Sequence, residues 1–200
     1  MIRFVHGFNV SDGGQNSLGP LSAEYSRCLQ ESVALFKWGW SGLFSVRFRT
    51  GGAIDGLIDR QRKNPARVWV GHSHGCHIIC TAYQSLPDDV EPPEALILLQ
   101  PAMNTSYRLP FVPTLVRYNP YDKAVWWGRQ WRRLNPVSWF VRHPWGAAGK
   151  YGFEHPNRLT HQVDTSVATH GDCAHRGHGA GAPPEYWGNH DSEWIKTVLE

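Results

Sequence analysis

Short runs that are apolar at every position alternate along this chain with stretches whose apolar residues recur every three or four positions. Ile2 to Val5, apolar apart from Arg3, is close to such a run and predicts a buried strand ending at His6-Gly7. Ser11-Asp12-Gly13-Gly14 predicts a loop, and Pro20 suits the first turn of a helix. From there Leu21, Tyr25, Cys28, Leu29, Ser32 and Phe36 share one helical face, with Gly39 as its stop. Leu43 to Phe48 predicts the next strand. Gly51-Gly52 then turn the chain into a helix with Ile54, Leu57 and Ile58 inward.

After Asn64-Pro65, Val68-Trp69-Val70 predicts a strand, followed by a glycine-flanked turn and a helix from about His74 to Leu86, closed by Pro87. Ala95 to Leu99 and Thr114 to Tyr118 predict two more strands, and a β-type run spans Leu159 to Val167. A Gly/His-rich loop comes next. Asp191 reads as the N-cap of an amphipathic final helix.

Strands apolar on both faces and separated by helices imply an α/β fold with three α/β/α layers around a mainly parallel sheet of about six strands. The length of 200 residues fits one domain over 1–200. Apolar residues at 41% and charged residues at 18% exclude a disordered chain. No run of about eighteen apolar residues and no leader pattern is visible, so a soluble cytoplasmic protein is expected. The net charge of +3 gives no reason to expect a nucleic-acid partner. Cys76 and Cys80, four apart among apolar residues, read with Cys28 and Cys173 as thiols of a reducing compartment rather than a disulfide framework.

Chemistry concentrates at Gly71-His72-Ser73-His74-Gly75, a Gly-x-Ser-x-Gly pattern between a strand and a helix. Such a pattern holds a serine in a strained turn at the tip of a strand, and the glycines remove side chains that would collide there. A serine hydroxyl needs a base to take its proton and donors for the oxyanion of the tetrahedral intermediate. The turn His6-Gly7-Phe8 follows the first strand, so the backbone N–H groups of Phe8 and His74 are the candidate donors.

These motifs, in this order over nearly the whole chain, resemble the α/β-hydrolase superfamily, and within it the small esterase/lipase-like serine hydrolases with a Gly-His-Ser-x-Gly elbow. The chain would then be a minimal form that opens on the oxyanion strand and lacks the first two strands of the usual sheet. The resemblance implies a Ser-acid-His order, an ester substrate that is small or lipid-like, and no cofactor or metal. Asp122, in Asn119-Pro120-Tyr121-Asp122, takes the place of the acid, with Asp164 and Asp172 as alternatives. His170, His175, His178 and His190 all follow the last strand, where the family places its base. His190 is preferred, as it runs into the final helix, and His170 is the runner-up.

Between about 123 and 158 the rhythm breaks, and Trp126, Trp127, Trp131, Trp139 and Trp145 interleave with Arg129, Arg132, Arg133 and Arg142. This segment stands where relatives carry a lid. With His6, its Trp126, Trp127 and Trp131 are candidates for the acyl pocket, or for a peripheral membrane, envelope or partner contact. Asp172, Cys173, His175 and His178 could together hold a metal, though their spacing fits no ordinary zinc arrangement. Three readings therefore stand: a carboxylic ester hydrolase, with thioesters and amides open to the same machinery; a hydrolase-fold binding module using the Trp/Arg segment; and metal-dependent hydrolysis through the late histidines.

Overall fold

The computed structural model describes residues 1–7, 15–38, 46–122, 146–165 and 184–200. Six strands, β1 (Ile2–Val5), β2 (Val33–Phe36), β3 (Val68–His72), β4 (Ala95–Leu99), β5 (Thr114–Tyr118) and β6 (Thr160–Asp164), form one sheet in the order β2-β1-β3-β4-β5-β6. Every pairing is parallel. The helices among the described residues are α1 (Gln15–Leu29), α2 (Val46–Lys63), α3 (His74–Gln84), the single turn α4 (Ala148–Tyr151) and α5 (Pro184–Leu199).

Alternation along the strands sorts the core into two layers. Ile2, Phe4, Val68, Val70, Ala95, Ile97, Leu99 and Leu115 pack with Leu18, Leu21 and Tyr25 of α1 and Trp187 and Ile195 of α5. Val5, Trp69, Leu96, Leu98 and Val116 face the other way, onto Leu57 and Ile58 of α2 and Ile78, Ile79 and Cys80 of α3. This is the three-layer arrangement expected from strands apolar on both faces.

Four local expectations need correction. Val33–Phe36 is an edge strand paired with β1, so the helix ends at Leu29 and does not reach Phe36. Val46, Arg47 and Phe48 open α2, where a strand over Leu43 to Phe48 was expected, and residues 39–45 lie outside the described ones. Their apolar-polar alternation reads as period two over a short window, whereas Ala53, Leu57 and Ile58 continue the helical face. Gly51 and Gly52 consequently sit inside α2 rather than in a turn. Helix α1 starts at Gln15, so Pro20 falls inside it on the exposed side.

Asp191 is the fourth correction. It lies in the interior of α5, fully buried, with Arg117 Nη1 of β5 at 3.6 Å and the Tyr25 hydroxyl donating to its Oδ2. The Arg117 guanidinium also lies 4.5 Å from the centre of the Trp187 ring. A carboxylate that reads as a helix cap in one dimension is therefore half of a buried ion pair joining α5, α1 and the sheet.

Candidate functional site

The direction of the connections reverses at β1. The chain passes from β1 outward to β2, then crosses back to β3 on the other side of β1. In open α/β sheets this reversal leaves a crevice at the carboxyl ends of the two central strands. Here it is occupied by His6-Gly7 after β1 and Ser73 after β3.

Ser73 has φ 54° and ψ −118°, a left-handed conformation that costs a non-glycine residue about 1–3 kcal/mol. Its surroundings hold it there. Its N–H donates to Leu99 O at 2.9 Å, and its carbonyl accepts from Cys76 N at 3.2 Å and Ala102 N at 3.2 Å. The close approach of three backbones explains the glycines. A Cβ on Gly7 would lie 2.8 Å from Ser73 Cβ, one on Gly71 would lie 2.8 Å from the Cys76 backbone, and one on Gly75 would lie 2.2 Å from Val5 O. None of these contacts is sterically possible, so α3 can begin directly over β1 and β3 only with glycine at these positions.

The turn bearing His6-Gly7 is thus packed against the serine itself: the Gly7 Cβ position is 3.3 Å from Ser73 Oγ. Phe8, the next residue and a candidate oxyanion donor, lies outside the described residues. His74, the other donor, is the first residue of α3, where backbone N–H groups lack intrahelical acceptors. Its side chain meets Thr50 of α2, with Thr50 Oγ1 and His74 Nε2 at 2.9 Å. His6 is buried and stacks on Trp38, ring centres 5.1 Å apart and planes 12° from parallel, while Trp38 Nε1–H donates to His6 O at 3.2 Å. Trp38 and Thr50 escaped the sequence reading because neither has a motif.

Asp122 follows β5 in the turn Asn119-Pro120-Tyr121-Asp122. It is 1% exposed, its N–H donates to Asn119 O at 2.9 Å, and Asn119 Oδ1 accepts from Tyr121 N at 2.9 Å. Asp122 therefore shares with Ser73 the carboxyl edge of the sheet, on β5 and β3, separated by β4. Asp164 ends β6 next to it, paired in register with Tyr118.

His190 is placed differently. It sits in the second turn of α5, its Nδ1 is 3.3 Å from Asp191 Oδ1, and its ring is edge-on to Trp187 at 5.5 Å. Its hydrogen-bond and ring contacts among the described residues do not include Ser73 or Asp122. His170, His175 and His178, with Asp172 and Cys173, lie outside the described residues, as do Trp126, Trp127 and Trp131. The end of the Trp/Arg segment is described and is firmly docked: Gly149 N–H donates to Pro101 O at 2.7 Å, and Gly149 O accepts from Asn119 N at 2.8 Å. The turns after β4 and β5 are thereby tied together.

Gln100, immediately after β4, was missed. It has φ 41°, is 4% exposed, and its Oε1 makes no hydrogen bond among the described residues. The available signal was a lone polar residue ending the all-apolar run Ala95 to Leu99.

Cys76 and Cys80 are both free and buried in α3, where loss of water pushes both thiols well above their ordinary range. That is the behaviour of packing thiols, not of nucleophiles. No helix among the described residues is long and apolar enough to cross a membrane.

The whole chain superposes on solved structures of one fold class. A protein of Xanthomonas campestris pv. campestris named for the alpha/beta superfamily of hydrolases matches with a TM-score of 0.55 at 17% identity, over 98% of each chain. An esterase/lipase from an uncultured bacterium matches with a TM-score of 0.59 at 10% identity, over 98% of this chain and 76% of that one. Carboxyl esterase 2 of Tuber melanosporum matches with a TM-score of 0.53 at 14% identity, over 96% of this chain and 77% of that one. This chain has the α/β-hydrolase fold, in a form with a six-stranded parallel sheet. No protein-family model matches it, and no curated protein does either. At these identities the likeness is one of fold, and chemistry has to come from the residues at the crevice.

Proposed function

We propose that this protein is a serine hydrolase that cleaves carboxylic esters through an acyl-enzyme on Ser73. The observation that carries the reading is the strained left-handed backbone of Ser73 at the β3-α3 turn, enclosed by Gly7, Gly71 and Gly75. A fold tolerates such a conformation when surrounding packing over-determines it, and such residues cluster at active sites. Esterases and lipases among the structural neighbours support the ester as substrate class.

In this reading Ser73 Oγ attacks the acyl carbon while the base removes its proton, and the N–H groups of Phe8 and His74 receive the oxyanion. Collapse expels the alcohol, which takes the proton from the imidazolium. Water then attacks the acyl-enzyme through the same imidazole, releasing the acid. Asp122 accepts the second imidazole N–H and fixes its tautomer. Asp122 is buried at the carboxyl edge, as this role demands.

The base in this proposal is His170 rather than His190. The position of His190 within α5, with its Nδ1 toward a carboxylate already engaged by Arg117 and Tyr25, supports a packing role. His170 is the first histidine after β6. Trp126, Trp127 and Trp131, with His6, are proposed to line the acyl pocket.

The test is labelling with a fluorophosphonate probe, together with hydrolysis of p-nitrophenyl esters of increasing acyl length. Wild type is expected to label and Ser73→Ala to be inert. Unchanged labelling in Ser73→Ala overturns the proposal. His170→Ala is expected to abolish turnover while His190→Ala retains it, and the opposite result returns the base to His190. A thioester or anilide turned over faster than the esters would reassign the substrate within the same mechanism.

A further inference from the structure

Gln100 occupies the carboxyl end of β4, the strand between the one that carries Ser73 and the one that leads to Asp122. Its two flanks grip the serine's own backbone: Leu99 O accepts Ser73 N–H at 2.9 Å, and Ala102 N–H donates to Ser73 O at 3.2 Å. Gln100 N–H is itself committed to Arg117 O at 2.8 Å. Behind the turn stands Gly149, so close that a Cβ there would lie 2.7 Å from Gln100 C. The backbone of Gln100 is therefore fixed from three sides, at a φ of 41°.

Two features of the side chain run against stability. A left-handed backbone is strained for any residue with a Cβ, and a buried carboxamide oxygen without a donor has lost its water uncompensated. Gln100 combines both, being 4% exposed with Oε1 unsatisfied. Glycine would remove both costs at once. A carboxamide kept at the end of the strand next to the one that bears Ser73, with Oε1 unpartnered among the described residues, is explained if its partner arrives with the substrate.

We infer that Gln100 is a substrate-binding residue whose carboxamide hydrogen-bonds a hydroxyl or amide N–H carried by the ester close to its reacting carbonyl. The preferred substrates are then esters bearing such a polar group, not plain alkyl esters. A site built to pair with a hydroxyl rejects the analogue without it more strongly than a greasy pocket rejects an extra group, because the buried amide is otherwise left unpaired. This inference rests on the esterase reading above.

The experiment compares kcat/KM for p-nitrophenyl 3-hydroxybutyrate and p-nitrophenyl butyrate in wild type, Gln100→Leu and Gln100→Gly, with unfolding midpoints for all three proteins. Wild type should favour the hydroxylated ester, and both variants should lose that preference by about fivefold or more. Gln100→Gly should also unfold at a higher temperature than wild type, a gain in stability with a loss of selectivity that a purely architectural residue does not show. A ratio unmoved within about twofold in both variants overturns the inference. So does a lower midpoint in Gln100→Gly with both esters falling in parallel. Fluorophosphonate labelling separates the two levels: a wild-type protein that neither labels nor hydrolyses loses the esterase reading and Gln100 with it. One that labels but shows no preference loses only the assignment of Gln100.

Discussion

The same substitution, glycine to alanine, should move stability in opposite directions at two positions. At Gly75 the added Cβ would sit 2.2 Å from Val5 O, 2.7 Å from His6 O and 2.9 Å from Val5 C. All three atoms are backbone, so no rotamer change can relieve the overlap. Either α3 lifts from the sheet or β1 moves, by about 1 Å to restore an ordinary carbon-oxygen contact. Overpacking of this kind costs about 1–3 kcal/mol, and a backbone clash belongs at the upper end. At Gly52, in α2, nothing lies within 4 Å of the added Cβ, and alanine in a helix interior gains about 0.5–1 kcal/mol over glycine. In a chain of 200 residues, one kcal/mol moves Tm by about 2–4 °C. Calorimetry should therefore show Gly75→Ala falling by roughly 6–12 °C and Gly52→Ala rising by roughly 1–4 °C. Probe labelling should be lost in the first and kept in the second, since only the first displaces the turn that holds Ser73. A destabilised Gly52→Ala would refute the helix at this position and restore the turn expected from Gly51-Gly52. A Gly75→Ala protein with native Tm and labelling would refute the contact between α3 and β1 on which the elbow depends.

Other consequences are open to measurement. Asp191→Asn should cost about 3–5 kcal/mol, because it removes the negative charge from the buried Arg117–Asp191 ion pair; urea unfolding reads this directly. Iodoacetamide followed by mass spectrometry should modify the half-buried Cys28 in native protein, while Cys76 and Cys80 react only after unfolding. Burial pushes the Tyr107 phenol from its ordinary 10.0 up to about 12, and raises Tyr25 well above the same value. Both phenols are neutral in the folded state at pHs where the unfolded chain has lost their protons. Stability should thus be intact below pH 10 and fall as pH climbs from 10 toward 12, with tyrosinate absorbance at 295 nm rising together with unfolding.

Much of the sheet was legible along the chain. Ile2 to Val5, Val68 to Val70, Ala95 to Leu99 and Thr114 to Tyr118 all form the expected strands, because a fully buried parallel strand must be apolar on both faces and the pattern shows it. The elbow was legible for a comparable reason. Gly71 is demanded by its contact with Cys76, three residues beyond Ser73, which recurs wherever a strand turns tightly into a helix, whereas the contact that demands Gly75, with Val5 of β1 and His6 after it, exists only in the folded sheet. Edges were harder to read. Val33–Phe36 is half-buried and pairs on one side only, so its four residues carried no signal stronger than the helical face that precedes them.

By itself the sequence determined the class of fold, the strand that carries the serine, and the polar turns at the carboxyl edge. Each of these depends on local spacing, on burial on both faces of a strand, or on a glycine's freedom. Only the tertiary structure decided that Asp191 pairs with Arg117 across 73 intervening positions of chain, that Thr50 holds His74, and that Gln100 Oε1 has no hydrogen-bond partner among the described residues. Those facts depend on which distant groups share a low-dielectric interior, where a carboxylate needs a cation and an amide needs a partner. The residues concerned look ordinary in one dimension because the cost that gives them meaning exists only once water has been removed.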